Sequence, residues 1–416
     1  MTKNNRGMAL IITLTIIMTL VTLGLALNKK AGQFVEDVTL TRDKAILSGM
    51  AESGVHMAMA MLIKDGMDGG TDTLSDIWAL PEYMEPLLAQ VPFENGSLSV
   101  KITDEQSRIQ ANALVEFPKG RRPSSSQMRL WQRFLRNYLE GRDQWTPKSE
   151  KTDDSEKTDA INQFLYSAID WLDSGDDDAV SGTEISSYGA ESEFYQGLAS
   201  PYECRNGPFV FPDELTLVKG YDSFAPPKTI ESQTEPPKEK EFLDLDGSMD
   251  DSGFQPNSGI LDHMTIHGIS KSGNEFEYKG KININTAGLP VLLALFSKEN
   301  EDVARNLHEI RQKEEKRRQA LISFLKGDEM ESGYSLKVGD IDLTKKDWHT
   351  SAIGWDTLSD GEKKFFDSIA TTSSDIFRVE STARLNDLTF TATAIVKREN
   401  ANTKNCFCYI LNIYFK

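Results

Sequence analysis

The residues RGMALIITLTIIMTLVTLGLAL, numbers 6–27, determine how the rest of the chain is arranged. The apolar run 8–27 carries no charge, and about 20 residues is the length at which an α-helix crosses a hydrocarbon core of roughly 30 Å. Its polar members are threonines, whose hydroxyls can donate to carbonyls one turn earlier. A secretory signal peptide has a shorter apolar region, about 7–15 residues, and then an A-x-A-like cleavage site, which is not evident after Leu27. The run therefore predicts a membrane-spanning helix.

The seven residues before this run resemble the leader of a type IV prepilin. They form a short basic segment, with Lys3 and Arg6, and end in Gly7 directly before the first apolar residue. In such leaders a membrane peptidase cuts after the glycine and methylates the new N-terminus, so the resemblance implies cleavage between Gly7 and Met8. Most pilins carry Glu at position five of the mature chain, where this chain has Ile12. Lysines flank the span on both sides, so the leader, and not the charge pattern, places the large domain outside the cytoplasm.

The composition excludes several classes of protein. The 416 residues are enough for two or three domains, and the formal net charge of −18 opposes nucleic-acid binding, which requires a basic footprint. Cys204, Cys406 and Cys408 are too few for a disulfide framework and are interpreted as structural. The sequence contains no G-x-S-x-G, H-E-x-x-H or phosphate-binding glycine motif, and so it gives no sign of an enzyme. His263 and His267 are four residues apart, and we interpret them as structural too.

The segment after the span predicts one long helix followed by strands. Small and methionine side chains recur at helical spacing over 34–64, so the spanning helix should continue into a soluble domain until the glycines beginning at Gly66 end it. Alternating apolar residues then predict a strand at 98–102, a turn at 104–107 and a returning strand at 108–114. A long helix followed by antiparallel strands is typical of an α+β fold whose sheet packs on the helix.

The middle of the chain predicts helices joined by polar segments. Amphipathic patterns predict helices at 127–140, 159–172 and 302–326. The charged segment 148–157 is interpreted as a loop, and the stretch 221–257, rich in Pro, Glu, Lys, Ser and Asp, as a disordered linker. Alternating residues at 375–397 and 407–415 predict the final strands.

An acidic cluster is the strongest candidate for a binding site. Its carboxylates are Asp173, Asp176, Asp177, Asp178, Glu184 and Glu191. Calcium is bound by six to eight hard oxygen ligands, and this stretch supplies them. The spacing is not that of an EF-hand, because Gly175 and Asp178 stand where the motif requires a ligand and a glycine. The residues alone leave two interpretations open: a solvated acidic loop, or a calcium site that orders the loop.

Several stretches, taken in order, resemble the GspK family, the large minor pseudopilins of type II secretion systems. They lie at 6–12, 102–109, 170–173, 195, 201–202, 213–220 and 282–287. Together they cover nearly the whole chain in the order found in the family. The family also lacks Glu at mature position five, in agreement with Ile12 here.

The resemblance implies an α+β, pilin-like fold, a long N-terminal helix packed on an antiparallel sheet, with a large inserted helical domain of two sterile-alpha-motif-like (SAM-like) parts. The implied divisions are a leader peptide at 1–7, a transmembrane helix at 8–27, a pseudopilin core at 28–117, a first SAM-like domain with the acidic calcium loop at 118–220, a disordered linker at 221–257, a second SAM-like domain at 258–335 and C-terminal strands completing the core at 336–416. The long linker and the cysteine-bearing end depart from the pattern of the family.

The resemblance also implies a role without enzymatic activity. Family members sit at the tip of the pseudopilus with the I-type and J-type minor pseudopilins, above the major pseudopilin. They help to start assembly and so support export of folded periplasmic proteins across the outer membrane. They are processed by prepilin peptidase, are anchored in the inner membrane with the large domain in the periplasm, and bind calcium beside the acidic loop. The alternatives are a minor pilin of a type IV pilus and a membrane-anchored, calcium-binding periplasmic protein.

Overall fold

The longest element of the structure is helix α1, Arg6–Asp68, which has 63 residues. The computed structural model describes residues 6–89, 96–120, 122–145, 153–175, 188–226, 254, 258–272, 275–326 and 341–416. The predicted continuous N-terminal helix is confirmed. The Thr13 hydroxyl donates to the Leu10 carbonyl at 2.9 Å, and the other threonines of the apolar half make similar bonds, so these polar groups are satisfied within the helix. Gly66 lies inside α1, which ends two residues later than predicted.

Four antiparallel strands form the main sheet, and short strands form three small ladders. The strands are β1 (Gly96–Asp104), β2 (Ile109–Gln110), β3 (Met264–Thr265), β4 (Ile269–Ser272), β5 (Glu275–Tyr278), β6 (Ile282–Asn283), β7 (Ala370–Thr371), β8 (Ile376–Leu385), β9 (Leu388–Glu399) and β10 (Phe407–Phe415). The main sheet has the order β1-β8-β9-β10. Because β8 follows β1 in space but not in sequence, the sheet is completed only by the C-terminal part of the chain.

The second half of α1 packs along one face of this sheet. The buried side chains of the helix are Leu47, Ala51, Val55, Ala58 and Leu62, and those of the sheet are Phe377, Val379, Ala392, Ala394 and Val396. Small residues allow the helix to approach closely, and Gly54 is the tightest point, because a Cβ there would press on the side chains of Ser381 and Val100. The helical spacing of apolar residues from Leu47 to Leu62 therefore reports the stripe that faces the sheet.

A helical domain is inserted between β1 and β8. Its helices are α3 (Ser125–Trp145), α4 (Asp154–Leu172), α5 (Ser192–Gln196), α6 (Leu289–Ala294), α7 (Glu301–Lys326) and α8 (Asp360–Ile369); the remaining helix, α2 (Pro81–Ala89), precedes β1. One apolar core runs through the insertion and includes Trp131, Phe134, Phe164, Leu292, Phe296 and Phe366. The chain leaves and re-enters the sheet at neighbouring positions, since Asp104 pairs with Phe377. The predicted pilin-like fold with an inserted helical domain is confirmed.

The predicted returning strand at 108–114 is wrong. Only Ile109–Gln110 is extended, as β2, which pairs in parallel with β3, and Ala111–Leu114 is a 3-10 helix. The cause is the buried side chain of Asn112, whose amide donates to the carbonyls of Phe209 and Ile266 at 3.1 Å. These bonds hold the segment against the insertion instead of the sheet.

The predicted loop at 148–157 is partly wrong, because α4 begins at Asp154. Asp153 caps this helix by accepting a hydrogen bond from the Glu156 N–H at 2.8 Å. Lys157, predicted to be in the loop, is buried and forms an ion pair with Asp143 at 2.6 Å. The start of the predicted linker is likewise packed: Tyr221–Phe224 is a 3-10 helix, and Phe224 is fully buried. The part of the linker prediction at 227–253 lies outside the described residues.

The predicted return to the pilin core at 336 is placed too early. The indole of Trp355 and the ring of His349 pack on Phe366 of α8, with centroids 5.0 Å away in each case. Arg133 of α3 donates to Glu362 of α8 at 2.6 Å. These aromatic and ionic contacts make the chain up to Ile369 part of the helical insertion, and the main sheet resumes at β8.

Candidate functional site

The outer half of α1 is the candidate membrane anchor. The helix is long and apolar enough to cross a membrane, and none of its most apolar window is buried against the rest of the chain. Gly7 and Met8, the predicted cleavage site, lie at the start of α1. Ile12, at the predicted mature position five, is half exposed, at 52%. An apolar surface of this extent needs either lipid or the helices of other subunits to cover it.

Three carboxylates meet where α4 ends and α5 begins. The carboxylate oxygens of Asp170, Asp173 and Glu191 lie within 4.8 Å of one another. Asp170 is in the last turn of α4, Asp173 is its C-cap residue, and Glu191 is the N-cap residue of α5. Because the C-terminal end of a helix carries partial negative charge, placing two carboxylates there is unfavourable unless a cation compensates.

Backbone N–H groups hold two of these carboxylates in place. Asp170 accepts a hydrogen bond from the Ala190 N–H at 2.8 Å, and Asp173 accepts one from the Gly175 N–H at 3.2 Å. The pKa of the Cys204 thiol reflects burial and the negative charges around it. Burial, with repulsion from the neighbouring Glu191 and Asp170, raises this pKa to about 11. Cys204 therefore stays a neutral thiol at physiological pH, which fits its predicted structural role.

The structure brings together two of the six predicted ligands. Asp173 and Glu191 meet, whereas Asp176, Asp177, Asp178 and Glu184 lie outside the described residues. The sequence argument missed Asp170 as a ligand. Its signal was present, because Asp170 precedes Asp173 by three positions, which places both on one side of a helix end.

A second acidic group, not predicted, lies at the far end of α1. The carboxylates of Asp65, Asp72 and Asp76 are also within 4.8 Å of one another, but a cation of the protein is already present. Arg398 donates to Asp65 at 3.1 Å and also forms a buried ion pair with Asp72. Burial, with repulsion from Asp76 and Asp72, raises the pKa of Asp65 to about 7. This cluster ties the end of α1 to the end of β9, and we interpret it as structural.

A buried polar junction joins the insertion to the sheet. The carboxylate of Asp104, the last residue of β1, accepts hydrogen bonds from Thr286 and Ser374 at 2.5 Å and from Asn283 at 3.0 Å. Burial raises its pKa to about 6, although these donors act in the opposite direction. Asn283 and Thr286 belong to the stretch 282–287 that resembles the GspK family. Their role here is to fix the second half of the insertion to the sheet.

The histidines do not form a ligand pair. The ring of His263 packs between Phe134 and Phe254, with centroids at 5.8 and 5.3 Å, and burial lowers its pKa to about 4. His267 also has a lowered pKa, chiefly because of burial. The His263 ring is thus neutral and packed between aromatic rings, in agreement with the structural role predicted for it.

These features define a protein of pilin-like fold with a helical insertion and an N-terminal helix that is long and apolar enough to cross a membrane. Comparison of the sequence with protein-family models and with curated proteins finds no match. Comparison of the structure finds a chain of the crystal structure of the GspK-GspI-GspJ complex from the enterotoxigenic Escherichia coli type 2 secretion system. The TM-score is 0.54 and the identity 14%, over 91% of this chain and 99% of that chain. At this identity the likeness establishes a shared fold, and the predicted resemblance to a GspK-type pseudopilin is confirmed at that level.

Proposed function

We propose that this chain is a minor pseudopilin of the GspK type, located at the tip of a type II secretion pseudopilus. There it helps to start assembly of the pseudopilus and so supports export of folded periplasmic proteins across the outer membrane. The observation that carries the proposal is the extent of the structural match, 91% of this chain and 99% of the other. A match of that extent includes the helical insertion as well as the helix and sheet common to pilin-like proteins. It therefore favours this role over that of a type IV minor pilin.

Ile12 supports a position at the tip. In a pilin filament the Glu of mature position five neutralises the N-terminal amine of a neighbouring subunit, and burying such a carboxylate without a partner is costly. A subunit with no other subunit above it has no amine to neutralise, so an apolar residue is favoured there. The same reasoning requires cleavage between Gly7 and Met8 by prepilin peptidase, with the anchor in the inner membrane and the large domain in the periplasm.

The exposed apolar residues that continue along α1 support helix-to-helix assembly. Phe34, Val35 and Val38 are 69%, 63% and 51% exposed, and they lie beyond the predicted span. Side chains of this kind are buried when several pilin-like helices pack side by side. The partners that we propose are the I-type and J-type minor pseudopilins, followed by the major pseudopilin.

We also propose that the acidic cluster binds calcium. The donor set fits a hard cation, because all three members of the group are carboxylates. Asp170, Asp173 and Glu191 present oxygens that lie within 4.8 Å of one another. Asp176, Asp177, Asp178 and Glu184 are the candidates for the remaining ligands. Bound calcium would compensate the carboxylate charges at the end of α4. The role of these residues is then to hold the connection between α4 and α5 in one conformation.

Co-purification tests the proposed function. The full chain is expressed with I-type and J-type pseudopilins of the same organism, extracted in mild detergent, and analysed by affinity purification and N-terminal sequencing. We expect a stoichiometric complex in which this chain begins at Met8. Val35→Asp with Val38→Asp should abolish the complex, and Ile353→Asp, at a 77% exposed apolar position of the insertion, should leave it intact. A chain that begins at Met1, or one that does not associate with either partner, would contradict the proposal.

A further inference from the structure

A polar groove opens where the insertion meets the far end of the sheet. It has a volume of about 800 Å³ and is bordered by the end of β9, the loop after it, the β4–β5 hairpin and the start of β6. The basic side chains that line it are Arg108, Lys279, Lys281, Lys346, Lys397 and Arg398, and the acidic ones are Glu105, Asp375 and Glu399. Because Arg398 is already compensated by Asp65 and Asp72, five basic side chains stand against three acidic ones, a local reversal in a chain whose net charge is −18.

Part of this charge is already compensated inside the fold. The fully buried Glu105 forms ion pairs with Arg378 at 2.6 Å and Arg108 at 3.6 Å. Lys397 lies 3.4 Å from Glu399. Burial raises the pKa of Asp375, the third acidic side chain, and the charges of Lys397 and Lys279 act against this. Glu105 and Glu399 are thus paired with basic partners, and the other lysines of the groove are Lys279, Lys281 and Lys346.

The lysines at the mouth face solvent. Lys279 is exposed, and its nearest ion pair among the described residues is a long surface contact of 3.9 Å with Glu277. Lys346 also lines the groove and is exposed. Lys281 is half-buried, donates to the Asp367 carbonyl at 3.1 Å and is attracted by the Asp367 carboxylate. A cleft with low-dielectric walls and one sign of charge concentrates its field and attracts ligands of the opposite sign.

The other lining residues define the chemistry of the ligand. Among the described residues that line the groove, Ile376 is the only apolar side chain larger than alanine, and the rest offer hydroxyls and amides such as those of Thr371, Ser373 and Asn402. A lipid tail or an aromatic ligand therefore has little to contact here. Lysine ammonium groups with hydroxyl and amide donors suit carboxylates.

The position of the groove excludes the headgroups of the membrane that α1 crosses. The groove reaches Gly70, beyond the end of α1. Some forty helical residues separate it from the predicted span, which at a rise of 1.5 Å per residue is about 60 Å. We propose that the groove binds a short acidic segment of a partner protein, presented in an extended conformation. This inference does not depend on the secretion role proposed above.

Fluorescence anisotropy tests the proposal directly. The full chain in non-ionic detergent is titrated against a labelled peptide of consecutive glutamates flanked by glycines, with the matching glutamine and lysine peptides as comparisons. We expect the glutamate peptide to bind at low salt, to weaken as salt is raised, and to bind far more tightly than the other two. Lys279→Glu with Lys346→Glu should weaken binding by about tenfold or more.

The matched control is Lys30→Glu with Lys44→Glu, which makes the same change in net charge at exposed positions of α1 that lie about 36 Å or more from the end of the helix. It should leave the affinity within about twofold, because charges beyond the Debye length are screened. Equal weakening by both double variants, equal binding of the three peptides, or no binding at low salt would each overturn the proposal. Binding of a sulfated oligosaccharide but not of the glutamate peptide would also overturn it.

Discussion

The carboxylate of Glu105 and the guanidinium of Arg378, 273 positions apart in sequence, form an ion pair at 2.6 Å. One residue follows β1, where the chain leaves the sheet, and the other lies in β8, where it returns. Arg378 and the nearby Arg108 hold the pKa of Glu105 below its usual value, although burial acts to raise it. The pair therefore links the two ends of the helical insertion through the fully buried carboxylate of Glu105.

Breaking this pair should destabilise the protein. Arg378→Met leaves Glu105 buried, with Arg108 at 3.6 Å as its remaining basic partner, so we expect a loss of about 2–3 kcal/mol, less than for a fully unpaired charge. Urea unfolding followed by circular dichroism measures the change. Arg384→Met, at an exposed position of the same strand, should cost less than about 0.5 kcal/mol. The double variant with Glu105→Gln should lose less than the sum of the single changes; strict additivity would refute the coupling.

Stability should fall as pH rises from 6 to 8, because of Asp65. Its pKa is raised from 3.8 to about 7 by burial, then by repulsion from Asp76 and Asp72, with Arg398 acting against this. The folded protein therefore holds a proton that the unfolded chain has lost, and this contribution is full below about pH 4 and lost as pH passes 7.

The expected change is on the order of 1 kcal/mol, measured as the melting temperature across this range. Asp65→Asn should flatten the pH dependence, and Asp68→Asn, at an exposed position one turn away, should preserve it. A wild-type profile that is flat or rises with pH would contradict this assignment.

The sequence predicted those elements in which the pattern of apolar residues matches the face that is buried in the fold. The apolar run and the helical stripe of α1 and the alternation in β1 each report a face that is buried or lipid-facing over its whole length. The partner of β1 was not predictable, because no local signal connects residue 104 to residue 377. Around Asn112 the sequence pattern was misleading. The segment alternates like a strand, but the hydrogen bonds from Asn112 to Phe209 and Ile266 hold it in the insertion and not in the sheet.

Two glycines of α1 should respond in opposite directions to replacement by alanine. Gly49 has open space around it, so Gly49→Ala should stabilise the protein by about 0.5–1 kcal/mol through the better helix propensity of alanine. Gly54→Ala should destabilise it by about 1–3 kcal/mol, because the new methyl group meets Ser381 and Val100. Thermal unfolding of the two variants checks the packing of α1 on the sheet. Equal stabilisation by both would show that the helix does not approach the sheet this closely.

Calcium should bind to the chelator-treated full chain and raise its melting temperature. A ligand present at 100 times its dissociation constant adds about 2.7 kcal/mol to the free energy of unfolding. Asp173→Asn with Glu191→Gln should abolish the heat of binding in calorimetry and the thermal shift. Glu193→Gln, an exposed neighbour of the cluster, should change neither. No calcium uptake by the wild-type protein would end this hypothesis.

Ile12→Glu should leave processing intact and impair secretion. The substituted chain should still insert, resist carbonate extraction and begin at Met8, because position five lies beyond the cleavage site. Its carboxylate would nevertheless have no amine partner at the tip, at a cost of about 2.5–3.5 kcal/mol in the span. Export of a reporter substrate is the readout, with Ile12→Leu as the control. Full secretion by the glutamate variant would count against a tip position.

The acidic site was predictable only in part. A dense run of carboxylates indicated the right region, and two of its members meet in the structure. Asp170 stands at the start of the same acidic run but was not among the six predicted ligands. The Arg398 cluster had no signal at all, since Asp65, Asp72 and Arg398 are brought together only by the closing of the sheet.

The pairing of β1 with β8 sets the order in which the molecule can be completed. During synthesis β1 emerges early, but the strand that covers its edge follows only after the whole insertion has been made. A nascent chain that stops before Ile376 would contain the whole insertion, but the apolar stripe of α1 would lack the strands β8 and β9 that cover it. Chaperones that bind exposed apolar surface would thus have most time to act on the half of the protein that is translated first.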